Sequence, residues 1–185
     1  VGSPLDPDTD DQTSTVVDPD PADQAGTGEP DEIDFHNRPI VTLETAFGFG
    51  GTVATCFIAE PLSLQPNRWG WTNGPLQPNT TLTLQLFAAA GQCNLAKGTH
   101  VGNVTVEYGS QSVTVTYTMF AGYTLEETHL YIGNVPIPLN RDRTTVAPGK
   151  YPYKHDLTGA TSDSYTVEIT GPIYVIAHAE VAIPN

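Results

Sequence analysis

Basic residues are almost missing from this chain: seven Lys and Arg in 185 residues, against 21 Asp and Glu. None of the seven falls in residues 1–34, where 11 of the acids lie. The rest of the chain carries 10 acids and 7 bases, a net charge of only −3. Without a basic stripe, nucleic acid and anionic lipid are excluded as partners. No run approaches the ~18 apolar residues that a membrane-spanning helix needs. No segment of helical length repeats apolar residues at a 3.6 period, which excludes a helical fold. HExxH, a nucleophile elbow, a phosphate-cradling glycine loop and a paired-carboxylate signature are all lacking, so the expectation is a protein that is not an enzyme. No leader-like stretch opens the sequence, as expected of a chain numbered from a mature end.

Cysteine is scarce too: Cys56 and Cys93 stand alone, each in or beside a strand-like run. With lysine rare and Thr, Asn, Gly and Tyr plentiful, as in many extracellular β proteins, a disulfide is expected. Closing that loop stabilises a fold by roughly 3–4 kcal/mol on chain-entropy grounds; the alternative is two buried free thiols. Two sequons, at Asn79 and Asn103, add support for export and mark possible glycosylation, each a triplet that also arises by chance.

What the sequence does contain, from Ile40 onward, is alternation with a period of two. Leu82, Leu84 and Leu86 alternate with Thr81, Thr83 and Gln85; Val113, Val115, Tyr117 and Met119 alternate with Thr114, Thr116 and Thr118. Similar runs cover 104–108 and 173–181, and further strands are expected near 40–47, 52–59, 67–72, 124–132 and 164–170. Gly109-Ser110 reads as a two-residue hairpin turn, and Asn73-Gly74, closed by Pro75, as another turn. Residues 133–158, rich in Pro, Gly and charge, read as a long loop with a short strand or turn inside it. About nine short strands with one polar face each predict an all-β, antiparallel two-sheet β-sandwich over residues 35–185.

Residues 1–34 read as an extended tail. Asp-Pro recurs at 6–7, 18–19 and 20–21, and proline blocks helix and removes ladder donors. Such a composition does not order itself. Stretched, 34 residues span about 110 Å, against roughly 40 Å for the diameter of the body, so the tail can reach a neighbouring subunit. Within it, Gln12–Val17 is free of proline and rich in β-branched residues. Thr13, Ser14, Thr15, Val16 and Val17 form a donor-strand candidate able to extend another subunit's sheet. Val1 and Leu5 offer a second anchor, and Ile33 and Phe35 are expected to join the first strand of the body.

Three groups of residues could carry chemistry. Glu127 and His129 share one strand face, as do His178 and Glu180, and such pairs could hold a transition metal; buried, hydrogen-bonded histidines are the plainer reading. His155-Asp156 falls in the long loop and His100 precedes a strand. Trp69 and Trp71 face one side and could stack on a sugar or fill the core, with Gly70 between them suited to a bulge or a close backbone approach. Asp6, Asp8 and Asp10 could supply oxygen ligands to Ca2+, although the stretch lacks the glycine and distal Glu of an EF-hand loop.

The stretches RWGWTNGPL (68–76), AAAGQCNLAKGTHVGNVTVEY (88–108), GYTLEETHLYIGN (122–134), VAPGKYPYKHDL (146–157) and IYVIAHAEV (173–181) together resemble a secreted domain family of environmental bacteria. The resemblance covers roughly 45–182. It implies export, a β fold and a surface role, and it brings no activity or binding residue with it.

The leading expectation is therefore an extracellular structural subunit. Identical copies would polymerise head to tail into a helical filament by N-terminal strand donation. The expectation from another class is a secreted adhesin or carbohydrate-binding module, Ca2+-dependent in one version, using Trp69, Trp71 or carboxylates of the 133–158 segment. An enzyme built on His129 and His178 would require those side chains to converge in an open cleft.

Overall fold

The computed structural model describes residues 40–64 and 67–185. The chain divides into two units, Val1–Arg38 and Pro39–Asn185. The donor-strand candidate Thr13–Val17, the aspartates Asp6, Asp8 and Asp10, the Val1 and Leu5 anchors, and Ile33 and Phe35 all lie outside the described residues.

The described residues are antiparallel β throughout, with a few one-turn 3-10 segments. The strands are β1 (Val41–Phe49), β2 (Ala54–Cys56), β3 (Trp71–Leu76), β4 (Thr80–Ala88), β5 (Thr99–Tyr108), β6 (Ser112–Met119), β7 (Thr124–Gly133), β8 (Leu139–Asn140), β9 (Arg143–Thr144), β10 (Tyr153–Ala160), β11 (Ser162–Glu168) and β12 (Ile173–Pro184). Ten of them form one ladder ordered β10-β7-β12-β1-β4-β5-β6-β11, with β3 on the far part of β12 and β2 on β3. The ladder doubles over at the short β1–β4 pairing, where only Ala46–Phe49 meet Gln85–Ala88. One layer is thus β10-β7-β12-β1, and the other β4-β5-β6-β11.

Alternation explains why these residues make these layers. Leu84, Leu86, Val104, Val106, Val115, Tyr117, Tyr165 and Val167 point inward from one layer; Leu125, Leu130, Val175, Ala177, Ala179 and Val181 answer from the other. A fully buried Leu or Val side chain contributes about 1.5–3 kcal/mol. Strand β12 is buried on both faces, which suits a central strand with near-continuous apolar sequence. Its outer face lies under a second cluster of Phe47, Phe57, Trp71, Ala90, Tyr131, Ile137, Val146, Tyr151 and Ile176. Residues 50–64, 67–70 and 134–152 form this roof. The Cys56–Cys93 disulfide, Cα–Cα 6.2 Å, ties the roof to the loop after β4.

Three local readings of the sequence are corrected. Asn73-Gly74 is not a turn but the middle of β3. Buried Asn73 donates from Nδ2 to the carbonyls of Gly48 (3.0 Å) and Val175 (3.2 Å) and accepts from the Gly50 N–H (2.8 Å). Gly74 has φ +153° and passes so close to β12 that a Cβ there would sit 2.6 Å from the Ile173 carbonyl oxygen. Tertiary hydrogen bonding has overridden a local turn preference. The β5–β6 hairpin turns at Ser110-Gln111, one residue later than expected, because Gly109 N–H bonds the Ser112 carbonyl. Finally, the loop expected over 133–158 is shorter: it holds the short β8 and β9, and residues 153–158 already belong to β10. That edge strand is largely exposed, so it lacks the apolar alternation by which strands are read.

Beyond β10 and β11 the ladder stops, and each has one edge without a strand partner among the described residues. The two strands are consecutive in the chain, and among the described residues no ladder joins them; side chains bridge this seam. His155 Nδ1–H donates to Asp163 (2.9 Å), and the His155 ring stacks on Tyr165, with centroids 4.3 Å apart and planes 7° from parallel. Thr128 on β7 donates to Asp163, and the Tyr165 hydroxyl meets Thr128 Oγ1 at 2.6 Å.

Candidate functional site

Strand register builds the site. Directly opposed residues of antiparallel strands point to the same face, and the outer face of the first layer carries two parallel rows. One runs Lys154, His129, His178, Phe47 and Phe87 across β10, β7, β12, β1 and β4. The other, on the same face, runs Asp156, Glu127, Glu180 and Thr45. The i, i+2 spacing of Glu127 with His129 and of His178 with Glu180 is legible in sequence. That the two pairs stand side by side is set by register alone.

Where the roof ends, a groove of ≈ 400 Å3 opens over these rows. Its lining includes Thr45, Phe47, Arg68, Trp69, Glu127, His129, Pro148, Gly149 and His178. Four of the five stretches singled out in the sequence meet here: RWGW through Arg68 and Trp69, ETHLY through Glu127 and His129, VAPGKYP through Pro148 and Gly149, and AHAEV through His178.

The two histidines converge, with Nδ1 to Nδ1 at 3.2 Å. Glu127 Oε2 lies 3.7 Å from His129 Nε2, on the other side of that ring. Burial, reinforced by neighbouring His129, pushes the His178 pKa down to about 3. Burial also lowers the pKa of His129, and Glu127 opposes the effect. Both rings are therefore neutral near pH 7, so one Nδ1–H donates and the other Nδ1 accepts. This is the buried, hydrogen-bonded pair of the plainer reading, placed at the rim of an open groove. Glu127 faces the His129 nitrogen turned away from His178, so His178 does not share a ligand point with Glu127 and His129. Among the described residues no group of three or more His, Cys, Asp or Glu is arranged to hold a metal ion.

Aromatic rings line the other side. Phe47 packs against His178 (centroids 4.8 Å) and edge-on to Trp69 (5.2 Å, 67°), and Trp69 stands edge-on to Trp71 (5.7 Å, 76°). Trp71 is buried and belongs to the roof, whereas half-buried Trp69 faces the groove. Gly70 permits this arrangement: its φ is +147°, and a Cβ would lie 2.5 Å from the Phe57 ring and 2.9 Å from Phe47.

The other residues singled out lie elsewhere. Asn79 is exposed at the turn before β4, with left-handed φ +64°. Asn103, in β5, is half-buried, and its Oδ1 contacts His100 Nε2 at 3.1 Å. His100 is within β5, stacked on Phe87 at 5.2 Å, and His155 belongs to the seam. What the sequence reading missed is the contribution of Arg68, Thr45 and Phe47 to the groove; only the position of Arg68 beside Trp69 could have pointed to it. No helix among the described residues is long and apolar enough to cross a membrane. No family model, curated protein or solved structure matches the chain.

Proposed function

We propose that the protein is a structural subunit of an extracellular filament or surface appendage, a homopolymer in which the N-terminal segment of one copy adds a strand to the sheet of the next. The observation that carries this reading is the seam: the ladder ends at two consecutive strands whose edges, unpaired among the described residues, are bridged by side chains. Edge strand β11 offers seven residues, Ser162–Glu168, a length that suits a donor of the size of Gln12–Val17. Exposed Ile40, Val41 and Leu43 stand where that N-terminal segment leads into β1, an apolar strip available to a neighbouring subunit.

The energetics favour a conditional union. Ordering each donor residue costs about 1–2 kcal/mol, and each ladder hydrogen bond returns about 0.5–1.5 kcal/mol. Backbone pairing is therefore close to balanced, and burial of a valine, about 1.5–3 kcal/mol, decides the outcome. The Asp-Pro flanks keep the donor extended and unable to pair with its own kind. The Cys56–Cys93 disulfide fits an oxidising location, and exposed Asn79 is the better placed of the two sequons for a glycan.

Deletion of residues 1–20 tests the proposal. Negative-stain electron microscopy of the full chain should show filaments, and the truncated chain should give dispersed, folded subunits. Filaments of unchanged morphology after the deletion would contradict strand donation.

A further inference from the structure

We infer that the groove beside Trp69 is a binding site for a neutral sugar, one pyranose ring of a glycan laid against the indole. The inference is independent of polymerisation, because it rests on the groove alone. A pyranose presents an apolar C–H face and a rim of hydroxyls, each able to donate and accept, and the groove carries both halves of that requirement. Trp69 supplies a half-buried aromatic surface packed against Phe47 and Trp71, so little side-chain entropy is left to lose when a ligand stacks on it.

Around the indole stand an obligate donor, Arg68, and an obligate acceptor, Glu127. Thr45 and the two neutral imidazoles can offer either role. Two walls of the groove belong to paired strands, and such rigid elements hold a site more precisely than loops do. At ≈ 400 Å3 the groove lies in the size range of ligand pockets.

Charge narrows the class. The lining charges of Arg68 and Glu127 cancel; beside Glu127 the row continues in Asp156 and Glu180, two carboxylates against the single Lys154 of the histidine row. A uronate, sialylated or sulfated ligand would meet that row at close range, where like charges repel. The site therefore suits neutral hexose or pentose units. His129 and His178 are positioning residues: their mutual hydrogen bond fixes which ring nitrogens remain to face a hydroxyl.

The full chain is screened at pH 7 on an array holding neutral and acidic glycans, and the best neutral ligand is titrated by calorimetry. Binding to neutral glycans is expected, with affinity reduced about tenfold by Trp69→Ala and by Arg68→Ala. Arg68 is exposed, so its loss leaves the fold intact even if Trp69→Ala disturbs packing on Phe47. In NMR spectra of the wild-type chain, the bound sugar should shift the Trp69 indole and the His129 ring, and leave the Tyr165 ring at the seam in place. Failure to bind any neutral glycan, binding confined to acidic glycans, or affinity unchanged in both variants would each overturn the assignment. Because Arg68→Ala does not touch the seam, loss of sugar binding with filaments retained separates this site from the assembly mechanism.

Discussion

His178 makes stability depend on pH in a direction that follows from its surroundings. An unfolded-chain histidine takes its proton near pH 6.5, whereas folded His178 does so at about 3. Between those values the unfolded state binds a proton that the folded state refuses, so stability rises with pH across the window and falls on acidification. The groups facing His178 are His129 on β7, Phe47 on β1, and Glu180 and Glu127 in the neighbouring row. Burial, reinforced by His129, sets the direction for His178. Well inside the window each pH unit is worth about 1.4 kcal/mol, and about half that at its pH 6.5 edge, where the unfolded histidine is half protonated. Going from pH 6.5 to 5 should therefore remove about 2 kcal/mol, a large part of a typical ~5–15 kcal/mol total. With a urea m-value of about 2 kcal/mol/M, the midpoint should fall by about 1 M.

Urea unfolding at closely spaced pH values, with the disulfide intact, measures this in the wild-type chain and in His178→Gln. Gln keeps a donor and an acceptor for His129 and does not titrate. Carboxylates and the remaining histidines are common to both chains, so the difference between the curves isolates His178. The variant should lose about 2 kcal/mol less than the wild type between pH 6.5 and 5. Parallel curves, or an imidazole signal of His178 that titrates by NMR near pH 6.5, would refute the burial argument.

Two further outcomes follow from particular contacts. Asn73→Ala removes three hydrogen bonds, two of them buried, to the Gly50 N–H and the Gly48 and Val175 carbonyls; at about 1 kcal/mol for each bond, unfolding should become easier by about 3 kcal/mol in chemical denaturation. Reduction of Cys56–Cys93, which closes a loop of 37 residues, should cost roughly 3–4 kcal/mol. The near-UV circular dichroism of the Trp69–Trp71 cluster should change first, because the cystine anchors the roof and not the inner core.

Different parts of the fold were legible to different degrees, and the reason is local. Strands β4 and β6 could be read because only one face of each is in the core, so burial imposes a two-residue period on the chain. Strand β10 could not, because an exposed edge strand needs no apolar side chain to be a strand. Asn73-Gly74 misled because the same pair that favours a tight turn also fits a buried strand when Asn73 finds three backbone partners. Trp71 met the core reading and Trp69 remained at the groove; two residues apart, they are separated by Gly70, whose missing Cβ lets the chain pass between Phe47 and Phe57.

By itself the sequence determined the fold class, the disulfide pairing of its only two cysteines, the acidic character of residues 1–34 and the faces that Glu127, His129, His178 and Glu180 share in pairs. These depend on composition and on neighbours one or two residues away. Only the tertiary structure decided that the pairs abut, that Arg68 and Trp69 reach them from a roof segment, and that the ladder ends at a seam. Those facts depend on strand register and on how the sheet doubles over. A shift of one residue between β7 and β12 would have turned the same histidines to opposite faces.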